Sequence, residues 1–471
     1  MRIETILDIT GGSLLSGTSA AAPRREVTGN ITGVGIDSRT LRRGELFVPL
    51  PGTRTDGHRF IADAIDRGAA AVFAAEERVG EVEAQAARED FRAPVIVVGD
   101  PLTALQEIAK YRMEGLSRLT RIAVTGSSGK TTTKELLGGA LSRYCRTYVS
   151  GGNFNSEIGV CLEAFRVPLE AEYAVFELGI NRKGEMDVLA DIVNPDYALI
   201  TNIGRAHIGL LGSQYAIAAE KKRIFSRFDG GQTGFIPEDT EYLAFLFDGV
   251  PGRIRTVGPK SFPGFRRSVT GGVRGSVVET EYGAVELPLP GEHNVRNFLA
   301  AAAVALEVGV PFVDIRAAAE AAAPLFGRGE IIEGPITVIS DCYNANPESM
   351  REILSFFDGI SVSGRKHLVL GEMRELGPFC EEAHRELGRL LGETTADRIF
   401  LFGPEMRGAF EEASHLLEGR VSWFADYSAL EEGVAGAVGT GDLVLLKGSR
   451  GVELERLLDI LEIDGQGTRQ C

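Results

Sequence analysis

The residues best suited to chemistry stand at Thr125–Thr132, which read T-G-S-S-G-K-T-T. An apolar run, Ile122-Ala123-Val124, precedes them, and Lys134–Leu141 has helical character. Strand, glycine-bounded turn, Lys-Thr and helix is an order of elements that cradles a nucleotide triphosphate. Gly126 and Gly129 let the backbone turn tightly, so that N–H groups along Ser127 and Ser128 can point at phosphate oxygens. Lys130 can reach the β- and γ-phosphates, and the Thr131 hydroxyl can ligate Mg²⁺, with Thr132 completing the loop. Only Ser127 and Ser128 separate the two glycines, so this is a shortened variant of the common phosphate loop. The plain alternative is a glycine turn that happens to precede a lysine. The flanking strand and helix favour the nucleotide, and ATP is the expected ligand.

Other polar groups follow apolar runs, where open α/β sheets place their ligand crevices. Glu177 ends the run Tyr173–Phe176 and is suited to hold Mg²⁺; alone it reads equally well as a solvated strand end. His207, in T-N-I-G-R-A-H, is a candidate ligand or acid/base, although a lone histidine is more often structural. Ala218–Phe225 carries Glu220, Lys221, Lys222 and Arg223, which by pattern alone is a charged, solvated helix face. Further on, D-C-Y-N-A-N-P-E-S-M (Asp341–Met350), L-G-E-M-R-E-L-G (Leu370–Gly377) and L-K-G-S-R-G (Leu446–Gly451) each follow a strand-like run. One edge of the C-terminal region therefore collects polar residues, and it is expected to face the ATP site across a cleft.

A chain of 471 residues is too long for one core and predicts two large domains or three smaller ones. Its net charge of −16 argues against general binding to nucleic acid or to a membrane surface, since both are anionic. Five cysteines without a C-x-x-C pair fit a reduced cytoplasmic protein, not a disulfide framework or structural zinc site. The amino-terminal segment lacks the apolar core of a secretory signal, and no apolar stretch is long enough to span a bilayer.

The fold expected is α/β with three domains. Residues 1–100 form a small α/β unit: helix Thr5–Gly11, strands Val34–Asp37 and Leu46–Val48, helix Phe60–Gly68, strands Ala70–Phe73 and Val95–Val98. Ser19–Glu26 reads as a surface loop. Residues 101–326 form a central P-loop domain with a mostly parallel sheet. Its elements are helix Leu102–Glu114, strands Thr147–Val149, Tyr173–Leu178 and Tyr197–Ile203, and helices Glu185–Ile192 and Val295–Glu307. Residues 250–290 are read as an antiparallel appendage to it. Residues 327–471 restart the strand–helix alternation as a Rossmann-like domain without a glycine-rich dinucleotide fingerprint, ending in a helix at Val452–Leu461.

Taken in order, several segments together resemble the Mur ligase family over essentially the full length. They are D-S-R (Asp37–Arg39), D-G-H-R-F (Asp56–Phe60), the phosphate loop, G-N-F-N-S-E-I-G-V (Gly152–Val160) and F-E-L-G-I-N-R-K-G-E-M (Phe176–Met186). T-N-I-G-R-A-H (Thr201–His207), G-E-H-N-V-R-N-F-L-A-A (Gly291–Ala301) and the three C-terminal segments complete the set. The C-terminal signatures look most like the members that add D-alanyl-D-alanine to UDP-N-acetylmuramoyl-tripeptide in peptidoglycan precursor synthesis. The D-N-P-R signature of diaminopimelate-adding members is absent. Gly209 stands where the family often has Glu, and Cys161 where Pro is usual.

The resemblance implies UDP held by the first domain, ATP by the second and the incoming amine by the third. It implies activation of a carboxylate as an acyl phosphate, then attack by the amine. By the same carry-over, Lys130 is catalytic and Thr131, Glu177, His207 and a carbamylated Lys221 hold two Mg²⁺. Lys221 is preferred to Lys222, a solvated neighbour, because the family pattern is Lys, two residues, then Ile. Asn297 would contact adenine, Arg328 a phosphate, and Asp341 the nucleotide. Asn153 would lie near the γ-phosphate or muramoyl peptide, and Ser38 and Arg39 near the uridine diphosphate. A cytoplasmic monomer with no nucleic-acid or membrane partner is expected. Two rivals remain at this point: another amide ligase of the same fold, such as a tripeptide-forming Mur ligase or a folylpolyglutamate synthase, and a P-loop switch or transport ATPase that makes no covalent product.

Overall fold

The computed structural model describes residues 1–15, 30–52, 55–88 and 91–461. The expected loop at Ser19–Glu26 lies outside the described residues. The chain divides into two compact units, and the division falls inside the strand Thr120–Thr125 that leads to the phosphate loop.

The first unit comprises Met1–Ala123, Arg146–Gly179 and Glu185–Asp196. Its five-stranded sheet runs Ser13–Leu14, Val95–Val98, Ala71–Ala75, Leu46–Phe47, Val34–Gly35, with only the first strand antiparallel to its neighbour. Ala71–Ala75 is buried throughout, as expected of a parallel strand covered on both faces. Asp100 caps the helix Pro101–Glu114 by accepting from Thr103 N–H at 2.8 Å, which is why Asp-Pro marks that boundary. Thr147–Val149 pairs in parallel with Tyr173–Glu177.

The second unit holds Val124–Cys145, Ile180–Gly184 and everything from Tyr197 on. Tyr197–Ile200, Thr233–Pro237 and Arg253–Val257 are successive parallel strands. Residues 250–290 are thus only partly the antiparallel appendage expected. Arg253–Val257 joins the parallel set, and the appendage is the three-stranded sheet Phe265–Thr270, Ser276–Thr280, Gly283–Leu287. The helix Lys130–Tyr144 packs on Glu292–Glu307 and Phe312–Glu320.

The C-terminal sheet has the order Glu330–Ile332, Thr337–Asp341, Leu443–Lys447, Lys366–Gly371, Arg398–Phe402, Val421–Phe424, parallel except for its first strand. Side chains alternate between two apolar clusters: Leu368, Leu370, Leu443 and Leu445 enter one, Val369, Val444 and Leu446 the other. A period of two with both faces buried explains why these strands read as continuous apolar runs. The helix expected at Val452–Leu461 is broken. Two short 3₁₀ turns, Arg450–Val452 and Leu454–Arg456, precede a four-residue helix, because Glu453 sits at φ 58° between them.

Candidate active site

Helix Lys130–Tyr144 begins at Gly129, whose φ of 75° suits glycine, and a Cβ there would overlap Asn297 Oδ1. The loop before it is braced by the end of the neighbouring strand. Ser127 and Ser128 N–H both donate to Asn202 Oδ1 at 2.9 Å, Asn202 Nδ2 donates to Ser128 Oγ at 2.5 Å, and Thr201 Oγ1 donates to the Ser128 carbonyl at 2.6 Å. In this conformation the Ser127 and Ser128 N–H groups, expected to point at phosphate oxygens, face an asparagine oxygen. What the loop offers an anion is the amino-terminal end of a 15-residue helix, with its dipole, and Lys130. Lys130 Nζ folds back on the Gly126 carbonyl at 2.9 Å, and Thr131 is buried at the head of the helix.

Asn297 is buried against Gly129, and its Nδ2 donates to Asn294 Oδ1 at 3.2 Å. Asn294 in turn lines a cavity of about 290 Å³ with Thr132, Glu135, Leu325 and Arg328. Thr132 and Arg328 thus line one cavity, and Asn297 reaches its wall through the bond to Asn294. The Arg328 guanidinium lies 3.8 Å from the centre of the Tyr343 ring, a cation–π contact that fixes its direction.

Asp341 and Lys447 are register partners at the carboxyl ends of adjacent parallel strands. Lys447, nearly inaccessible, pairs with Asp341 Oδ2 at 2.6 Å and donates to the Asn344 carbonyl at 3.0 Å. Burial pushes the nearby His293 down to about 4 despite the opposing charge of Asp341. The ring is thus neutral at pH 7. Burial also raises the Glu352 carboxyl, against the pull of Arg296 and Lys447.

Lys221 is buried, and burial together with the Lys130 cation holds its ammonium well below the ordinary value, with Glu220 pulling the other way. The charged, solvated face expected for Ala218–Phe225 is therefore wrong for Glu220 and Lys221, each 2% exposed. Lys222 is not a free solvated neighbour either. Its Nζ donates to the Phe245 and Asp248 carbonyls at 2.7 and 2.6 Å and lies over the Phe245 ring, tying off a short helix.

His207 has its Nδ1 2.6 Å from Glu375 Oε2, short in distance but off the line of a good hydrogen bond. The His207 interaction holds the Glu375 carboxyl below its usual range. Gly209 has no room for a side chain: a Cβ would overlap Gly377 N and come within 2.8 Å of the Glu375 carbonyl oxygen. Cys161, the other departure, is fully buried and its thiol is pushed up, so it fills the core.

In the first unit, Glu177 is 2% exposed and accepts from Asn155 Nδ2 at 2.8 Å, so it is not a solvated strand end. Asn153 is exposed on the same loop, which the fully buried Glu163 anchors by accepting from Gly151 N–H at 2.6 Å. Ser38 is turned inward, where its hydroxyl helps to lower Asp63. Arg39 is exposed and grips Asp37 through Nε and Nη2. Neither Ser38 nor Arg39 presents an uncommitted group to a ligand. Among the described residues no group of three His, Cys, Asp or Glu stands ready to hold a metal ion, and no helix is long and apolar enough to cross a membrane.

Sequence reasoning passed over Asn202, Asn294, Glu375 and Lys447. Asn202 and Asn294 sit inside motifs already quoted, two residues past the end of strand Tyr197–Ile200 or at helical spacing from Asn297, and that spacing was the available signal. Nothing local marks the partners Glu375 and Lys447 acquire.

Three family descriptions match in order: "Mur ligase family, catalytic domain" over residues 30–113, "Mur ligase middle domain" over 124–305, and "Mur ligase, glutamate ligase domain" over 327–450. The UDP-N-acetylmuramoyl-tripeptide–D-alanyl-D-alanine ligase of Treponema pallidum is 42% identical over 91% of this chain and 93% of its own length. A crystal structure of MurF from Acinetobacter baumannii superposes with a TM-score of 0.86 at 31% identity, covering 98% of both chains. MurF ligase from Thermotoga maritima in complex with ADP gives a TM-score of 0.76 at 26% identity, covering 91% of this chain and 96% of that one. The chain belongs to the Mur ligase family, and its likeness within that family is to the MurF type.

Proposed function

We propose that this protein is an ATP-dependent amide ligase that adds D-alanyl-D-alanine to UDP-N-acetylmuramoyl-tripeptide in peptidoglycan precursor synthesis. The observation that carries the reading is full-length likeness to ligases of that name, joined to a phosphate loop whose shape is held by Asn202 and Thr201. The γ-phosphoryl group of ATP passes to the peptide carboxylate, whose oxygen is otherwise a poor leaving group. The dipeptide amine attacks the resulting acyl phosphate, and phosphate departs with formation of the amide. Lys130 and the helix end behind Gly129 stabilise the charge on the transferring group, where positioned charges account for most of the catalysis.

Mg²⁺ fits the donor set as an ion bound largely through nucleotide phosphates, a mode that asks few protein ligands. When bound, Mg²⁺ would neutralise phosphate oxygens. Thr131, Glu177, His207 and Lys221 are the residues that would hold two such ions. Lys221 takes part as its carbamate: burial and the Lys130 cation both favour the neutral amine that CO₂ requires, and the product is an anionic oxygen donor. Asn297 and Arg328 serve adenine and phosphate, Asp341 the nucleotide, Asn153 the γ-phosphate or the muramoyl peptide. Ser38 and Arg39 are carried for the uridine diphosphate, and Arg39 would have to release Asp37 to take part. The protein acts in the cytoplasm as a monomer, with domain limits near residues 100 and 326.

The test is phosphate release and product mass with UDP-N-acetylmuramoyl-tripeptide and ATP, comparing D-alanyl-D-alanine, single amino acids and no amine. A product heavier by the dipeptide, with phosphate release dependent on it, is expected. Addition of one amino acid, or amine-independent hydrolysis, refutes the reading.

A further inference from the structure

Four non-glycine residues among those described take the left-handed backbone region: Asn194, His207, Glu375 and Glu453. Two of them, His207 at φ 63° and Glu375 at φ 65°, face each other with Nδ1 and Oε2 2.6 Å apart. Each conformation is strained for an L side chain, so meeting by two such residues needs a structural cause.

The surroundings supply it. The segment Gly204–Gly209 lies against the C-terminal domain at Arg205, His207, Ile208 and Gly209. Arg205 N–H and Nε donate to Glu348 at 2.9 and 3.0 Å, and its Nη1 reaches Glu386 at 2.9 Å. Gly209 N–H donates to the Glu375 carbonyl at 3.2 Å, with the Gly209 and Gly377 backbones in direct contact. Ile208 and Ile217 enter the apolar cluster of Met373 and Leu376. The whole segment is docked, and it is within these contacts that both left-handed backbones occur and carboxylate and imidazole meet.

We propose that Glu375 is a positioning residue for His207: from the C-terminal domain it fixes the ring with Nδ1 protonated, leaving the Nε2 lone pair for the ligand that His207 serves. An imidazole that coordinates through one nitrogen is commonly set by the bond its other nitrogen makes. The off-line contact is of the kind that tightens when a site is loaded. The pair thereby makes the competence of His207 depend on docking of the C-terminal domain. The inference rests on the ligase reading only for what His207 does, not for how it is held.

The experiment compares Glu375→Gly, which keeps φ near 65° without strain and removes the carboxylate, with Glu375→Asp and the unaltered protein. ¹⁵N spectra of imidazole-labelled protein report the tautomer of each of the six histidines, His207 being assigned by the signal lost in His207→Gln. The expected result is an Nδ1–H signal for His207 that shifts toward the other tautomer in Glu375→Gly and is partly kept in Glu375→Asp. In turnover, Glu375→Gly should lose about 10–100-fold in kcat and require more Mg²⁺, with KM for the UDP substrate unaltered. An unchanged His207 tautomer in Glu375→Gly overturns the proposal, whatever happens to kcat. If Glu375→Gly does not fold, Glu375→Asn replaces it, because Asn tolerates the same backbone region and stops short of the ring. Loss of the tautomer in a protein that makes no amide would sink the ligase reading and leave the positioning role standing.

Discussion

Replacing Gly129 by Ala tests whether the phosphate loop and the helix Glu292–Glu307 act as one assembly. The added methyl meets two penalties. The left-handed backbone at φ 75° costs an alanine about 1 kcal/mol. The Cβ would also overlap Asn297 Oδ1 and lie 3.0 Å from its Cγ, so the amide must swing away and give up its 3.2 Å bond to Asn294. Loss of that bond is worth about 1 kcal/mol, and overpacking in a buried place adds roughly another 1 kcal/mol. The sum, about 3 kcal/mol, should appear as a lowered urea midpoint. To the extent that it falls on the ATP-bound state, it should also appear as a loss of about 10²-fold in ATP-dependent phosphate release. Asn297→Ala removes the obstacle but not the backbone cost, so in that background Gly129→Ala should cost only about 1 kcal/mol. The shortfall from additivity is the signature of the contact. Strict additivity, or a Gly129→Ala protein with unaltered midpoint and turnover, would show that the two elements do not meet in this way.

Lys221→Ala should lose most ligation, on the order of 10²-fold, with partial recovery in acetate, since a carboxylate can occupy the place of the carbamate; no recovery, or full activity without acetate, speaks against the modified lysine. Lys222→Ala should keep turnover but lose about 1–2 kcal/mol in urea unfolding, because two carbonyls lose a charged donor. Asp442 gives a pH test: burial alone would raise its carboxyl, but bonds from Arg365 N–H, His367 and Gly439 N–H outweigh that and hold it below the usual value. A lowered folded value contributes stability above about pH 4, the unfolded value, that fades as pH falls through the folded one. The destabilisation by Asp442→Asn should accordingly be full at pH 7 and shrink below pH 4, and a gap independent of pH would refute the assignment.

Local signals carried much of this protein. Gly126 and Gly129 around two serines, an apolar run before and a helix after announce a phosphate loop, because backbone geometry at those positions depends on glycine alone. The alternation after Gly327 announces a parallel sheet, because Leu368, Val369 and Leu370 must each find an apolar face. Helix Pro101–Glu114 begins where Asp100-Pro101 says it should, since the cap is a bond between near neighbours. What the tertiary structure decided is which distant groups meet. Lys221 and Lys222 are adjacent and alike in sequence, yet burial disfavours the charge of one while two carbonyls claim the other. Ser127 and Ser128 turn their N–H groups to Asn202, more than seventy residues away, and His207 meets a carboxylate from another domain. Those pairings depend on desolvation and on close approach of backbones such as Gly209 and Gly377, and neither quantity exists until the chain has folded.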